Sequence, residues 1–145
     1  MNQWSASLAA VLTIDQPTYD AIVAHARRDH PDEACGMVAG IGERPTRVIE
    51  MTNTARSPTF YEMDSMEVLR TLRGMDDADE ELLAIYHSHT ATEAYPSRTD
   101  ISIAGFPEAH YILVSTRDPD SVEFRSFRIE DGQVTEEEVV VVPAG

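Results

Sequence analysis

Two periodicities divide the chain. Short apolar or alternating runs predict strands, and apolar positions spaced three and four apart predict helices. Leu8 to Ile14 predicts a first strand. Asp15 then stands as an N-cap with Pro17 in the first turn of a helix whose apolar face is Tyr19, Ile22, Val23 and Ala26. Pro31 stops that helix, and His25 and His30, on or just beyond it, read as surface or cap residues. Ala34 to Ile41 predicts a strand of small residues in which Gly36 and Gly40 permit close backbone approach. A loop over Gly42 to Pro45 leads to Arg47 to Thr52 as the second arm of a hairpin. Asn53 to Pro58 is turn-forming, and Thr59 to Met63 resumes an extended run. Asp64 and Glu67 form a capping pattern before a second amphipathic helix with Val68, Leu69, Leu72 and Met75 on its apolar face.

The second half continues in the same way. The acidic run Asp76 to Glu81 reads as a solvated connection, because it lacks the alternation and turn glycine of a hard-metal loop. Leu82 to Tyr86 predicts a buried strand, and Ser97 caps a helix carrying Ile101, Ile103 and Ala104. His110 to Ser115 predicts another strand, and His110 has no partner at metal spacing. Val122 to Ile129 and Gln133 to Val142 follow, joined by the hairpin signal Asp131-Gly132. Together these elements predict an α/β fold, a single-domain mixed sheet flanked by helices over residues 8–145, with residues 1–7 as a disordered N-terminal tail.

Composition narrows the function. A chain of 145 residues with 42% hydrophobic content has room for one core and one domain. Its formal net charge of -15 disfavours nucleic acid and anionic membrane surfaces, and it reads as a well-solvated exterior. No apolar run approaches the roughly 20 residues that span a bilayer, and MNQWSAS has no basic-then-apolar leader pattern, so a cytoplasmic location is expected. All basic residues are Arg, which excludes Schiff-base chemistry and a phosphate-loop lysine within this chain. Cys35 is the single cysteine, so no intramolecular disulfide can form. It reads either as a small core residue or as a redox-sensitive thiol on the same face as Glu33.

The candidate chemistry is concentrated in HSHTATEAYPSRTD, from His87 to Asp100. Residues two apart in a strand share a face, so His87 and His89 would present two imidazoles to one pocket while Ser88 turns away. Asp100, on the first turn of the helix capped by Ser97, can face back toward them. Two neutral imidazoles and a carboxylate form a zinc-type ligand set that leaves a fourth position open, the arrangement of a catalytic site rather than a structural one.

The full pattern, Glu33 followed by His87-x-His89, seven residues, Ser97, two residues and Asp100, resembles the signature of the JAMM (MPN-plus) zinc metalloproteases. The resemblance extends over nearly the whole chain and implies a JAMM/MPN-like, cytidine-deaminase-like fold. It also implies one Zn2+ per chain held by His87, His89 and Asp100, with Glu33 as the base that activates water and Ser97 as a hydrogen-bond donor to the oxyanion. The stretches ARRDHPDEACG, RSPTFY and YHSHTATEAYPSRTD narrow the likeness to an actinobacterial branch that releases cysteine from the C-terminus of a small ubiquitin-like sulfur-carrier protein.

That likeness carries further expectations. Phe60 and Tyr61 are either half-buried packing residues or the wall of a groove that receives the carrier's Gly-Gly-Cys tail. Arg56 and Arg98 are either surface ion-pair residues or cations for the carboxylate of the released cysteine. Two other readings compete: a broader peptidase acting on other ubiquitin-like carriers, and a non-catalytic MPN scaffold, which would lack the metal ligands found here. A zinc deaminase is disfavoured, because its His-x-Glu and Pro-Cys-x-x-Cys elements are missing.

Overall fold

The computed structural model describes residues 11–144, so the tail expected over residues 1–7 and the strand start at Leu8 lie outside the described residues. Among the described residues seven strands and three helices follow one another in an order close to expectation. They are β1 (Val11–Asp15), α1 (Gln16–Asp29), β2 (Cys35–Ile41), β3 (Arg44–Met51), α2 (Ser65–Asp77), β4 (Glu81–His89), α3 (Arg98–Ile103), β5 (His110–Ser115), β6 (Glu123–Glu130) and β7 (Gln133–Val142).

The strands make one mixed sheet in the order β1-β7-β6-β5-β4-β2-β3. β1 with β7 and β4 with β5 run parallel, and the remaining neighbours are antiparallel. A parallel pair needs a crossover, and the β4-to-β5 connection carries α3. The hairpins form where turn chemistry predicts them. Gly42, Asp131 and Gly132 take the positive φ angles (62°, 52° and 77°) that tight two-residue turns require. The first turn is therefore shorter than expected, and β3 begins at Arg44 rather than Arg47.

Side chains alternate across the sheet and build a core on each face. On one face α1 lays Ile22 and Ala26 over Leu12, Ile14, Val38, Tyr86, Ile112 and Val114. The other face holds Cys35, Met37, Ala39 and Met51 under Met75 of α2, beside a cluster of Ile85, Leu113 and Phe127. Gly36 is required here: a Cβ on it would lie 2.3 Å from the Tyr86 ring, which occupies the space over its backbone.

Three expectations change. Thr59 to Met63 is extended but joins no ladder, because its backbone groups bond within their own loop, as in Thr54 N–H to the Glu62 carbonyl at 2.8 Å. Leu69 is 43% exposed, since α2 turns only a narrow stripe to the sheet. His25 is buried rather than a surface residue: it sits beside Ile22 on the apolar face of α1, with Nδ1 2.7 Å from the Tyr86 hydroxyl and Nε2 3.1 Å from Asp29. His30 does cap the helix, its N–H donating to the Ala26 carbonyl. His110 is also buried, between Glu137 at 2.7 Å and Glu43 at 3.2 Å. Among the described residues no helix is long and apolar enough to cross a membrane.

Candidate active site

The site lies at the carboxyl end of β4, where open α/β sheets commonly place their ligands. Strand alternation puts His87 and His89 on one face, as the His-x-His spacing predicts, and both are buried. The first turn of α3 brings Asp100 against them: its Oδ2 lies 3.1 Å from His87 Nε2 and 3.0 Å from His89 Nε2. These ligand atoms all lie within 4.8 Å of one another.

Asp100 is held by a reciprocal cap. The Ser97 hydroxyl oxygen accepts the Asp100 N–H at 3.0 Å, and the Ser97 N–H donates to Asp100 Oδ2 at 2.8 Å. Burial alone would raise the Asp100 pKa, but the two adjacent imidazoles of His87 and His89 and the bond from the Ser97 N–H outweigh it and hold the carboxyl well below the usual range. Complete burial depresses the His87 pKa and so keeps that imidazole neutral. Burial opposes charge on His89 too, yet its bonds to Asp100 and the Glu93 carbonyl raise its pKa on balance.

These residues fit a metal. Although His87 Nε2 is close to Asp100, it is the buried side-chain nitrogen or oxygen without a hydrogen-bond partner among the described residues, so its lone pair is left for a cation. His89 Nδ1 is 2.9 Å from the Glu93 carbonyl. A carbonyl only accepts, so Nδ1 carries the proton and Nε2 presents its lone pair to the same point.

Glu33 stands at the entrance of β2, 5% exposed. Its N–H donates to the Ser57 carbonyl at 2.9 Å, and its carbonyl accepts from Asn53 Nδ2 at 3.0 Å. Burial is the main force that pushes its carboxyl up to about 7, with His89 opposing and Asp100 adding to the rise. Ser88, which turns away from the histidine face as expected, ties this residue's neighbour to the ligand strand. Its hydroxyl accepts the Ala34 N–H at 2.8 Å and its N–H donates to the Ala34 carbonyl at 3.0 Å. The strand carrying the imidazoles and the segment that leads from Glu33 into β2 are therefore joined at their ends.

Tyr61 reaches the centre. Its ring stacks on His87, with centroids 4.4 Å apart at 27°, and burial, followed by the negative charge of Asp100, raises its phenol pKa. Phe60 is 40% exposed. Both line an apolar cavity of about 290 Å³ with Met37, Ile85, Ile103 and Phe106. Arg56, at a left-handed φ of 46°, lines a separate polar cleft of about 430 Å³ together with Glu33, Arg28 and Glu50. Arg98 opens α3 beside Ser97 and is exposed. Cys35 is wholly buried, and burial pushes its thiol up to about 12. The thiolate is the reactive form, so the idea of a redox-sensitive Cys35 gives way to that of a core residue packed among Met37, Met51 and Met75.

Nothing local in the sequence marks Ser88 or Asn53 as functional. A serine between two histidines and an asparagine opening a turn are both ordinary, and their roles depend on partners 54 and 20 residues away.

Comparison with known proteins places this geometry in context. Residues 15–130 match the family model described as prokaryotic homologs of the JAB domain. The chain is 63% identical over 134 residues to the CysO-cysteine peptidase of Mycobacterium tuberculosis, covering 91% of this chain and 92% of that protein. It is 32% identical over 111 residues to the desampylase of Haloferax volcanii, covering 72% and 80% respectively. Among solved structures, protein DSY2949 from Desulfitobacterium hafniense superposes with a TM-score of 0.81 at 32% identity, covering 92% of this chain and 94% of that one.

Proposed function

The chain belongs to the prokaryotic JAB-domain (JAMM/MPN-plus) family, and from that premise we propose that residues 8–145 form a zinc metallopeptidase domain. In this reading it hydrolyses the amide bond after the terminal Gly-Gly of a small ubiquitin-like sulfur carrier and releases cysteine. The observation that carries the peptidase reading is the pairing of the buried His87 and His89 and the half-buried Asp100, with one orphaned imidazole nitrogen, and a buried carboxyl at Glu33. A single Zn2+ is the preferred ion for two imidazoles and a carboxylate. The 63% identity to a protein named for cysteine release from CysO supports the choice of substrate. A cytoplasmic location fits the absence of cystine and the acidic composition.

When bound, zinc supplies the Lewis acidity that polarises an amide carbonyl and makes water nucleophilic at neutral pH. The remaining work belongs to side chains of this protein. Glu33, poised by burial near neutrality, takes the proton of the attacking water and returns it to the departing amine of cysteine. Ser97 has its hydroxyl oxygen occupied by the Asp100 N–H, which leaves its proton free for donation to the developing oxyanion. Deleting such a donor typically costs about 3 kcal/mol. Phe60 and Tyr61 guide the narrow tail toward the centre. Arg56, in the cleft that Glu33 shares, is the better placed of the two candidate arginines for the product carboxylate.

A broader peptidase that processes other ubiquitin-like conjugates is the second reading, favoured by the match to a desampylase. Zinc-loaded protein incubated with several carriers, each ending in Gly-Gly-Cys or in a Gly-Gly-linked peptide, separates the two. Loss of one cysteine mass from a single carrier is expected. Equal trimming of all adducts would establish the broader activity, and no cleavage of any adduct would overturn the peptidase reading.

A further inference from the structure

Asn53 follows β3 and is half-buried. Its Nδ2 donates to the carbonyls of Glu33 and Phe60, both at 3.0 Å. Its Oδ1 accepts the N–H groups of Ala55 and Glu62, also at 3.0 Å. Two carbonyls demand the amide nitrogen and two N–H groups demand the amide oxygen, so the side chain has one possible orientation. Both N–H bonds and both lone pairs are thereby used inside the protein.

Those four partners belong to two segments far apart in sequence. One is Glu33, whose N–H is also bonded to the same loop through the Ser57 carbonyl at 2.9 Å. The other runs from Ala55 to Glu62 and delivers Tyr61 onto the ring of His87. The Thr90 hydroxyl, one residue beyond His89, donates to the Pro58 carbonyl at 2.8 Å and fastens the middle of the loop to the end of β4. The loop thus touches the base at one end and a metal-ligand candidate at the other, and a single carboxamide closes it.

We propose that Asn53 is a positioning residue for hydrolysis, which fixes where Glu33 stands relative to the His87–His89–Asp100 group and holds Tyr61 against His87. This rests on the peptidase reading above. All four side-chain bonds of Asn53 go to backbone groups of Glu33 and of the loop, so it acts through them. A displacement of about 1 Å at a reacting group can cost roughly 100-fold in rate.

Asn53→Asp is the discriminating change. The carboxylate keeps both acceptor functions toward Ala55 and Glu62, loses both donors, and sets negative charge against the carbonyls of Glu33 and Phe60. The expected result is a folded protein with wild-type zinc content, kcat lower by roughly 100-fold and KM little changed. Amide hydrogen exchange at Glu33 should be faster than in the wild type. In a Glu33→Gln background the same change should cause no further loss in single-turnover rate, because its effect passes through the base. Wild-type kcat in Asn53→Asp, unaltered exchange at Glu33, or a full additional loss in the Glu33→Gln background would each overturn the proposal. If Asn53→Asp does not fold, Asn53→Ser, which is small and neutral, takes its place under the same criteria. Should wild-type protein cleave no carrier adduct, the functional reading fails, and exchange at Glu33 alone decides the role of Asn53.

Discussion

Replacing Glu33 by Gln should make the metal-free protein more stable, and only above a defined pH. Burial lifts the Glu33 carboxyl from an ordinary 4.5 to about 7 in the folded chain. At about 1.4 kcal/mol per pH unit that difference is worth roughly 3 kcal/mol. Below about pH 4 the carboxyl is neutral in both folded and unfolded chains, and the substitution changes little. Between 4.5 and about 7 the unfolded chain releases the proton while the folded chain keeps it, so stability falls as pH rises. Above about 7 the folded state bears the whole cost of a buried charge. Gln removes the charge and keeps the shape. Urea denaturation in chelator at a series of pH values from about 4.5 to 8.5 should show the advantage of Glu33→Gln growing from near zero to about 3 kcal/mol. By heat the upper end corresponds to roughly 6–12 °C in Tm for a chain of this size. The zinc-loaded variant should have lost most turnover, since its amide cannot take a proton. Parallel stability curves for variant and wild type would refute the claim that Glu33 is held in a desolvated site, and full activity of the variant would refute its role as the base.

Other outcomes follow from the same contacts. His87→Ala or Asp100→Ala should lose the metal itself, read by elemental analysis after dialysis; an unchanged metal content would place the ion elsewhere. Ser97→Ala should keep the metal, because the Ser97 N–H that holds Asp100 belongs to the backbone. It should cost about 1 kcal/mol of stability through the lost cap and slow the chemical step, and a wild-type single-turnover rate would remove the oxyanion role. Gly36→Ala sets a methyl group 2.3 Å from the Tyr86 ring, and a loss of about 1–3 kcal/mol or more is expected in denaturant melts. Cys35→Ala should leave sensitivity to peroxide unchanged, and a protected variant would show that the thiol is more accessible than its complete burial implies.

Much of this architecture was legible because each element carries its own local signal. Asp15, Asp64 and Ser97 announce helix starts whatever lies across the core, and each one caps in the structure. Asp131-Gly132 takes the backbone angles that its turn demands. The clustering of His87, His89 and Asp100 was legible for a similar reason: strand alternation pairs the two imidazoles, and the cap at Ser97 positions the carboxylate, so their spacing carries three-dimensional information. Where the sequence misled, a distant partner decided the outcome. His25 reads as polar on a helix face, and the distant Tyr86 hydroxyl on β4 gives its Nδ1 a partner inside. Thr59 to Met63 has the composition of a strand, but Asn53 and Thr54 take up the carbonyls that a neighbouring strand would otherwise bond.

The same distinction explains why spacing alone brings His87, His89 and Asp100 together but does not aim Glu33. His87, His89 and Asp100 are separated by a few residues and held by elements that meet end to end, so the geometry among them survives small changes elsewhere. Glu33 stands two residues before β2 and has no local motif to aim it. Its placement rests on Ser88 gripping Ala34, on Ser57 receiving its N–H, and on Asn53 gripping its carbonyl. Each of these bonds crosses between segments, and each involves a residue type common in turns. A cluster that could hold a metal can therefore be recognised from spacing, while the position of Glu33 relative to it cannot. Substitutions that silence turnover yet leave the metal bound should accordingly concentrate at Ser88, Asn53 and the loop between Asn53 and Tyr61, rather than at His87 or His89.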